Sequence, residues 1–183
     1  MGDPKKPKKK YITPGHPWQK ARLMEEIHLV GSYGLRNKRE LWRHQAQLAK
    51  FRRIAKQLLG MPAERREKIE KELLGKLYRL GIVDENATID TVLGLTVEDI
   101  LERRLQTLVY KLGMAKTPHQ ARQFIIHGHI QVDGQIVRSP SFLVPRGYED
   151  KITFASTSPF ADPDHPIRKM IKEAIKGESI GAE

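Results

Sequence analysis

Residues 119–137, HQARQFIIHGHIQVDGQIV, pass from helical to strand periodicity with no linker between. Ala121, Phe124 and Ile125 fall on one side of a helix that Gly128 stops. Thr117 followed by Pro118 supplies its start, a capping hydroxyl and then a residue that suits the first helical position. Ile130 and Val132 then alternate with Gln131, and Asp133–Gly134 is a strong signal for a two-residue type I′ turn. The register follows from the turn: Val132 should pair with Gln135 and Ile130 with Val137. Ile136 then points to the opposite face, which is therefore predicted to be partly covered. A chain that makes this corner has to lay helices on a small sheet, which sets the class as α+β.

The flanking sequence completes the unit. Thr96, with Asp99 three residues on, opens a helix whose Leu101, Leu105, Leu108 and Leu112 are spaced 4, 3 and 4 along one face, and Gly113 closes it. Phe142–Val144 and Lys151–Phe154 read as two further short strands joined by the turn PRGYED. Residues 97–155 are thus predicted to be two helices feeding a small sheet. Beyond Thr157 come Pro159, Pro163 and Pro166, a Pro/Asp-rich linker, then a short helix over about 167–176 and a loose tail.

The first half is organised differently. Residues 1–11, MGDPKKPKKKY, are low-complexity and too polar to bury a core, so an arm disordered when free is predicted. A helix is expected from Pro17 to Val30 with Leu23, Met24, Ile27 and Val30 as its apolar stripe. Asn37, with Glu40 as capping-box partner, opens a long helix whose inner face steps through Leu41, Gln45, Leu48, Arg52, Ala55, Leu58 and Leu59. Pro62 opens a third helix of mixed charge, with the Glu67–Lys71 pair outside and Ile69, Leu73, Leu77 and Leu80 inside.

Charge is the strongest functional signal. The 183 residues carry a net charge of +11, and residues 1–60 alone hold 15 Lys/Arg against 4 Asp/Glu, so the whole excess lies in the first third. Self-repulsion opposes such crowding, which points to a polyanionic partner. Nucleic acid is favoured over lipid, because no helix is both strongly basic and broadly apolar on its other face. The candidate contacts in this third are Lys8, Lys9, Lys10, Arg22, Arg36, Lys38, Arg39, Arg43, Lys50, Arg53 and Lys56. At the helix-to-hairpin corner they are Arg103, Arg104, Lys116, His119, Arg122, His127 and Arg138. A rigid corner can present cations from two elements to one curved phosphate surface. The bland reading pairs Arg103 and Arg104 with nearby acids such as Glu102 and Asp99, and makes His127 a helix cap.

Other chemistry is excluded. There is no Cys, hence no disulfide, Cys-ligated zinc or thiol nucleophile. His127 and His129 alone make a poor metal pair. Neither a phosphate-binding glycine loop nor an activated serine occurs, so no enzyme and no cofactor is expected. No apolar run approaches the roughly 18 residues of a membrane span, and no signal peptide is expected. Helix-turn-helix and zinc-finger spacings are missing, so folded RNA is favoured over DNA.

The stretch ERRLQTLVYKLGMAKTPHQARQFIIHGHIQVDGQIVRSPSFLVPRGYEDKITF resembles the RNA-binding domain named after small-subunit ribosomal protein S4. YITPGHPWQKARL and GSYGLRNKRELWR resemble the archaeal and eukaryotic branch of that ribosomal family, so the resemblance runs from about Tyr11 to Phe160. It implies a basic arm over 1–16, a mostly helical N-terminal domain over 17–95, an RNA-binding domain of the αL-like type over 96–157, and a Pro-rich linker with a short helix over 158–183. It also implies a structural constituent of the small ribosomal subunit, cytoplasmic, that binds a junction in the 5′ domain of the ribosomal RNA and nucleates assembly. Ribosomal protein S5, other small-subunit proteins and the messenger RNA entry would be its neighbours, through which it would support decoding accuracy. Arg104, Lys116, His119, Arg122 and His127 would face RNA. A ribosome-biogenesis factor built on the same domain is the alternative. Two departures from the family pattern bear on the corner: Pro118 replaces a frequent Arg, and Gln106 replaces an acid expected to orient Arg104.

Overall fold

A computed structural model describes residues 8–16 and 18–180. The lysines at 5 and 6 and the expected helix start at Pro17 lie outside the described residues. Among the described residues eight α-helices, a short 3-10 turn (Pro159–Ala161) and one small sheet follow in the order α1 (Lys20–Ser32), α2 (Lys38–Leu59), α3 (Ala63–Arg79), α4 (Ile89–Gly94), α5 (Val97–Glu102), α6 (Leu105–Lys111), α7 (Pro118–Ile126), β1 (Ile130–Val132), β2 (Gln135–Ile136), β3 (Ile152–Phe154) and, after the 3-10 turn, α8 (Pro166–Ile180). The α+β class is as the sequence predicts.

Helix α2 is the axis of the first half. Its Asn37 side chain accepts from the Glu40 N–H, and Leu41, His44, Leu48, Phe51, Ala55 and Leu58 are buried. Helices α1, α3, α4 and α5 all pack on it. Leu48, Phe51, Ala55 and Leu58 meet Leu73 and Leu77 of α3, Val83 of the following loop, Ile89 and Val92 of α4, and Ile100 of α5 in one core. Two predictions change here. Leu59 is exposed, and His44 and Phe51 take places on the inner face that a count of aliphatic residues passes over.

Helix α1 departs further. Met24 and Ile27 of the expected stripe face outward, 57% and 52% exposed, and the one fully buried side chain of the helix is Glu26. The helix is turned so that this carboxylate meets Arg22 at 3.4 Å, Lys38 at 3.2 Å and the indole N–H of Trp42 at 3.0 Å. Three partners for one acid outweigh the burial of two exposed apolar side chains.

The second half holds the predicted corner. α7 is capped by the Thr117 hydroxyl, which accepts from the Gln120 N–H, and buries Ala121, Phe124 and Ile125. β1 and β2 pair with Gln131 opposite Ile136 and Val132 opposite Gln135, and the Val137 N–H donates to Ile130 O. Asp133 (φ 50°) and Gly134 (φ 78°) both have the positive φ that a type I′ turn needs. β3 adds on the other side of β1, giving the order β2-β1-β3. Ile136 is 45% exposed, so its face is partly covered, as the register predicts.

The expected helix from Thr96 to Gly113 is two helices, broken at Arg103–Arg104. The predicted Phe142–Val144 strand is what breaks it. Instead of joining the sheet, that segment bonds to the break: the Leu105 N–H donates to Phe142 O at 2.8 Å and the Val144 N–H to Arg103 O at 3.0 Å, with Arg104 opposite Leu143. The interruption shifts the phase of α6, so Val109 is buried and Leu112 is 48% exposed. The Pro/Asp-rich segment after Thr157 is anchored, and the last three residues of the tail expected to be loose lie outside the described residues. Phe160 sits among Phe124, His129 and Phe154, with centroids 4.8–6.2 Å away, and Ile171 of α8 enters the same core. α8 continues through Gly177 to Ile180, beyond the expected end.

The two halves meet closely at Gly34. A Cβ built there would lie 2.7 Å from the Cβ of Pro118 and 2.9 Å from Gln106 Nε2, and φ is +57°. Pro118 is thus a packing residue against the N-terminal half. Gly34→Ala should lower unfolding free energy by about 2 kcal/mol or more, combining left-handed strain of about 1–2 kcal/mol with the clash. Gly147→Ala, also at positive φ (+81°) but with nothing within 4 Å, should show the strain alone. Urea unfolding midpoints at constant slope measure the difference.

Candidate nucleic-acid interface

Four of the cations of α2 share one side of the helix. Arg39, Arg43, Lys50 and Arg53 recur within about 80° of arc at roughly 100° per residue, turned away from the buried face. All four are exposed and have no acidic partner among the described residues. At about 1.5 Å per residue they make a ridge about 21 Å long. Lys56 is exposed off to one side of it, and Arg36 is exposed just before the helix.

The end of the arm lies against this helix. Tyr11 stacks on Trp42 of α2 with centroids 6.1 Å apart, and Lys9 Nζ stands 4.7 Å over the Tyr11 ring while donating to Thr13 Oγ1. The expectation of a free arm therefore gives way from Lys9 onward, because an aromatic pair and a cation–π contact hold it. Tyr11 and Trp42 were not candidates from sequence. Their spacing gives no hint of contact. Lys8, Lys9 and Lys10 are exposed and add to the α2 ridge.

The corner residues divide into exposed and internal. Lys116, His119, His127 and Arg138 are exposed, and the Arg138 guanidinium folds across the Gly128 joint. Arg103, Arg104 and Arg122 are internal. Arg104 is fully buried in the break between α5 and α6, and its Nη2 donates to Glu40 Oε2 at 3.4 Å. Arg122 donates to both Glu40 oxygens, at 2.7 and 3.1 Å, and to Gln106 Oε1 at 3.3 Å. Arg103 donates to Leu80 O, Val144 O and Glu149, the last at 2.6 Å. These three expected contacts are corrected: each guanidinium is turned inward. The pairing alternative was right in kind, but the acids are Glu40 and Glu149, not Glu102 and Asp99. Arg22 and Lys38 are likewise turned toward buried Glu26.

Gln106 has a role other than a weakened substitute for an acid. It is fully buried, and its Nε2 donates to Gly34 O at 2.8 Å and Pro118 O at 2.9 Å. Arg104 is oriented by Glu40, 64 residues away in sequence. Burial on its own would raise the Glu40 pKa, but the Arg122 hydrogen bond and charge, the Arg104 charge and the Arg36 N–H together hold it below the usual carboxylate value. His44 lies beside this pair. Its burial, reinforced by the Arg104 charge, pushes its pKa down to about 4, so it is neutral at physiological pH. Among the described residues no group of three His, Cys, Asp or Glu could hold a metal ion, and no helix is long and apolar enough to cross a membrane.

Two family profiles match the chain. Residues 5–102 match the Ribosomal protein S4/S9 N-terminal domain, and residues 103–150 match the S4 domain. The profiles meet at the break between α5 and α6. Curated relatives called small ribosomal subunit protein uS4 are 56% identical in Hyperthermus butylicus over 182 residues, covering all of both chains. In Ignicoccus hospitalis the identity is 59% over 87% of this chain and 96% of the relative, and in Sulfurisphaera tokodaii 52% over 96% and 99%.

The two titrating groups make separate predictions. A buried His with a depressed pKa is protonated first in the unfolded chain, so stability should fall as pH drops from about 6.5 toward 4, by about 3 kcal/mol. His44→Gln should flatten that window. Glu40, also depressed, contributes above the unfolded value of about 4.3, and its share is lost only in stronger acid. Glu40→Gln leaves a buried guanidinium uncompensated and should cost about 3 kcal/mol at neutral pH. Denaturant titrations across pH 3–8 on both variants check this.

Proposed function

This chain belongs to the ribosomal protein S4 family, and we propose that it is a structural constituent of the small ribosomal subunit that binds ribosomal RNA through the α2 ridge, the arm and the exposed side of the corner. The observation that carries the assignment is the end-to-end match to small-subunit proteins at 52–59% identity. Such a protein is not an enzyme, and it works in the cytoplasm on the ribosome. A separate biogenesis factor is not favoured, since the relatives that match both halves are subunit proteins.

The contact set that follows from exposure is Lys8, Lys9, Lys10, Arg36, Arg39, Arg43, Lys50, Arg53, Lys56, Lys116, His119, His127 and Arg138. Each is exposed, and none has an acidic partner among the described residues. Phosphates are met by such cations without sequence readout, which suits a protein that recognises the shape of a folded RNA. The family resemblance further supports the 5′-domain junction as the RNA element, with a part in its assembly. It also supports ribosomal protein S5 and the messenger entry as neighbours, and with them a contribution to decoding accuracy.

Replacing Arg39, Arg43, Lys50 and Arg53 together by Ala should flatten the dependence of log affinity on log salt. Each phosphate that is no longer neutralised should remove about 0.7–0.9 from the slope. Thermal melting should be unchanged, because none of the four touches the core. Filter binding to a 5′-domain transcript at several salt concentrations gives the slope, and co-sedimentation of tagged chain with mature small subunits tests the assignment itself. Absence from mature subunits would restore the biogenesis factor.

A further inference from the structure

A groove of about 400 Å³ opens between the arm, α2 and the segment after β2, lined by Lys10, Glu40, Arg43, His44, Gln47 and Ser141 among others. Its residues are of two kinds. Lys10, Arg43 and Lys50 are exposed cations, whereas Glu40, His44 and Gln47 are half-buried or buried groups that accept or donate hydrogen bonds. Backbone phosphates need only cations of the first kind. A carboxylate in the wall repels them. A volume within the roughly 300–1,000 Å³ of small-ligand sites is also larger than one phosphate requires.

The second kind is incompletely paired. His44 is 6% exposed, and its Nδ1 has no hydrogen-bond partner among the described residues. Behind it Arg104, with no exposure, leaves Nε and Nη1 unpartnered as well. An unmade hydrogen bond of a buried group costs on the order of 1–3 kcal/mol, more for a charged one. Pairing of Arg104 through Glu40 fixes the wall, while His44, also a lining residue, carries an unmade hydrogen bond at its buried Nδ1. Ser141 brings the RNA-binding half of the chain to the same groove.

We propose that this groove receives a single unstacked ribonucleotide of the bound RNA, its phosphate at Lys10, Arg43 and Lys50 and its base edge against His44, Gln47 and Ser141. Single-stranded and junction RNA offers such bases, which proteins read by edge hydrogen bonds once they are splayed out of the stack. The neutral imidazole suits a base edge, since it offers one donor and one acceptor and adds no charge. The inference rests on the ribosomal RNA reading above and adds to it one point of base readout on a surface that otherwise meets phosphates.

The test uses the full chain, a 5′-domain transcript of small-subunit ribosomal RNA and acylation of RNA 2′-hydroxyls as the probe. Wild type should suppress reactivity at one unpaired nucleotide that Ser141→Trp, which fills the exposed mouth, leaves reactive, with affinity falling about 10-fold. Gln47→Ala should expose the same nucleotide, and unchanged melting of both variants shows that the fold is kept. Arg39→Ala should weaken binding and leave the pattern as it was. An abasic site at the protected nucleotide should lower wild-type affinity about 10-fold and that of Ser141→Trp little. Wild-type protection that neither the Trp variant nor the abasic strand alters overturns the groove alone. No protection anywhere overturns the ribosomal RNA reading along with it.

Discussion

Glu40 is the charge on which the arrangement of the two halves depends. It opens the most basic helix of the chain, and its carboxylate accepts from Arg104 and Arg122, which come from the other half of the molecule. Neither arginine could be placed where it is without this acid. Arg104 is taken fully out of water, and a guanidinium so placed needs a counter-charge within contact distance. Arg122 approaches with two nitrogens, a bidentate geometry that fixes direction as well as distance. Gln106 ties the same point to Gly34 and Pro118, so a polar network holds the two halves together at this junction.

That network explains how a chain with such lopsided charge folds. Two of the acids in the first third, Glu26 and Glu40, each meet two cations, and all four cations turn inward. Of the cations left over on α2, Arg39, Arg43, Lys50 and Arg53 turn outward as one ridge. Internal neutralisation and external excess are therefore separated by helix phase. The ridge keeps its full charge while the interior remains nearly balanced. A helix with acids scattered among its outer positions would have lost the external field without gaining anything inside.

Local chemistry made much of the fold legible in the sequence. The Asp133–Gly134 turn, the Thr117–Pro118 start and the Ala121, Phe124, Ile125 face all depend on neighbours within a few residues. What was missed depends on partners far away in the chain. Arg104 and Arg122 read as contacts for RNA because Glu40 is 64 and 82 residues distant, and no local pattern announces the pair. The break at Arg103–Arg104 was hidden for the same reason, since its hydrogen bonds go to residues 142–144. Met24 and Ile27 looked like core because apolar periodicity cannot register that a carboxylate on the next face has three partners. Exposed basic residues of α2 could be named from sequence, but their gathering into one ridge needed the helix phase that His44 and Phe51 set.

The internal arginines still bear on binding, by position and not by contact. Tight recognition of a shaped polyanion requires cations held in advance at fixed separations, because ordering them on binding costs free energy. The α2 ridge and the cations of the corner lie on different halves, joined through short connections that would by themselves allow movement. Arg104, Arg122 and Gln106 remove that freedom by bonding the start of α2 to α7 and to the break before α6. Burying charge at a junction is a poor route to stability when apolar side chains of similar size would serve. It does restrict the number of arrangements that satisfy every partner, and one arrangement is what a surface needs if its two cationic parts are to meet a single folded RNA.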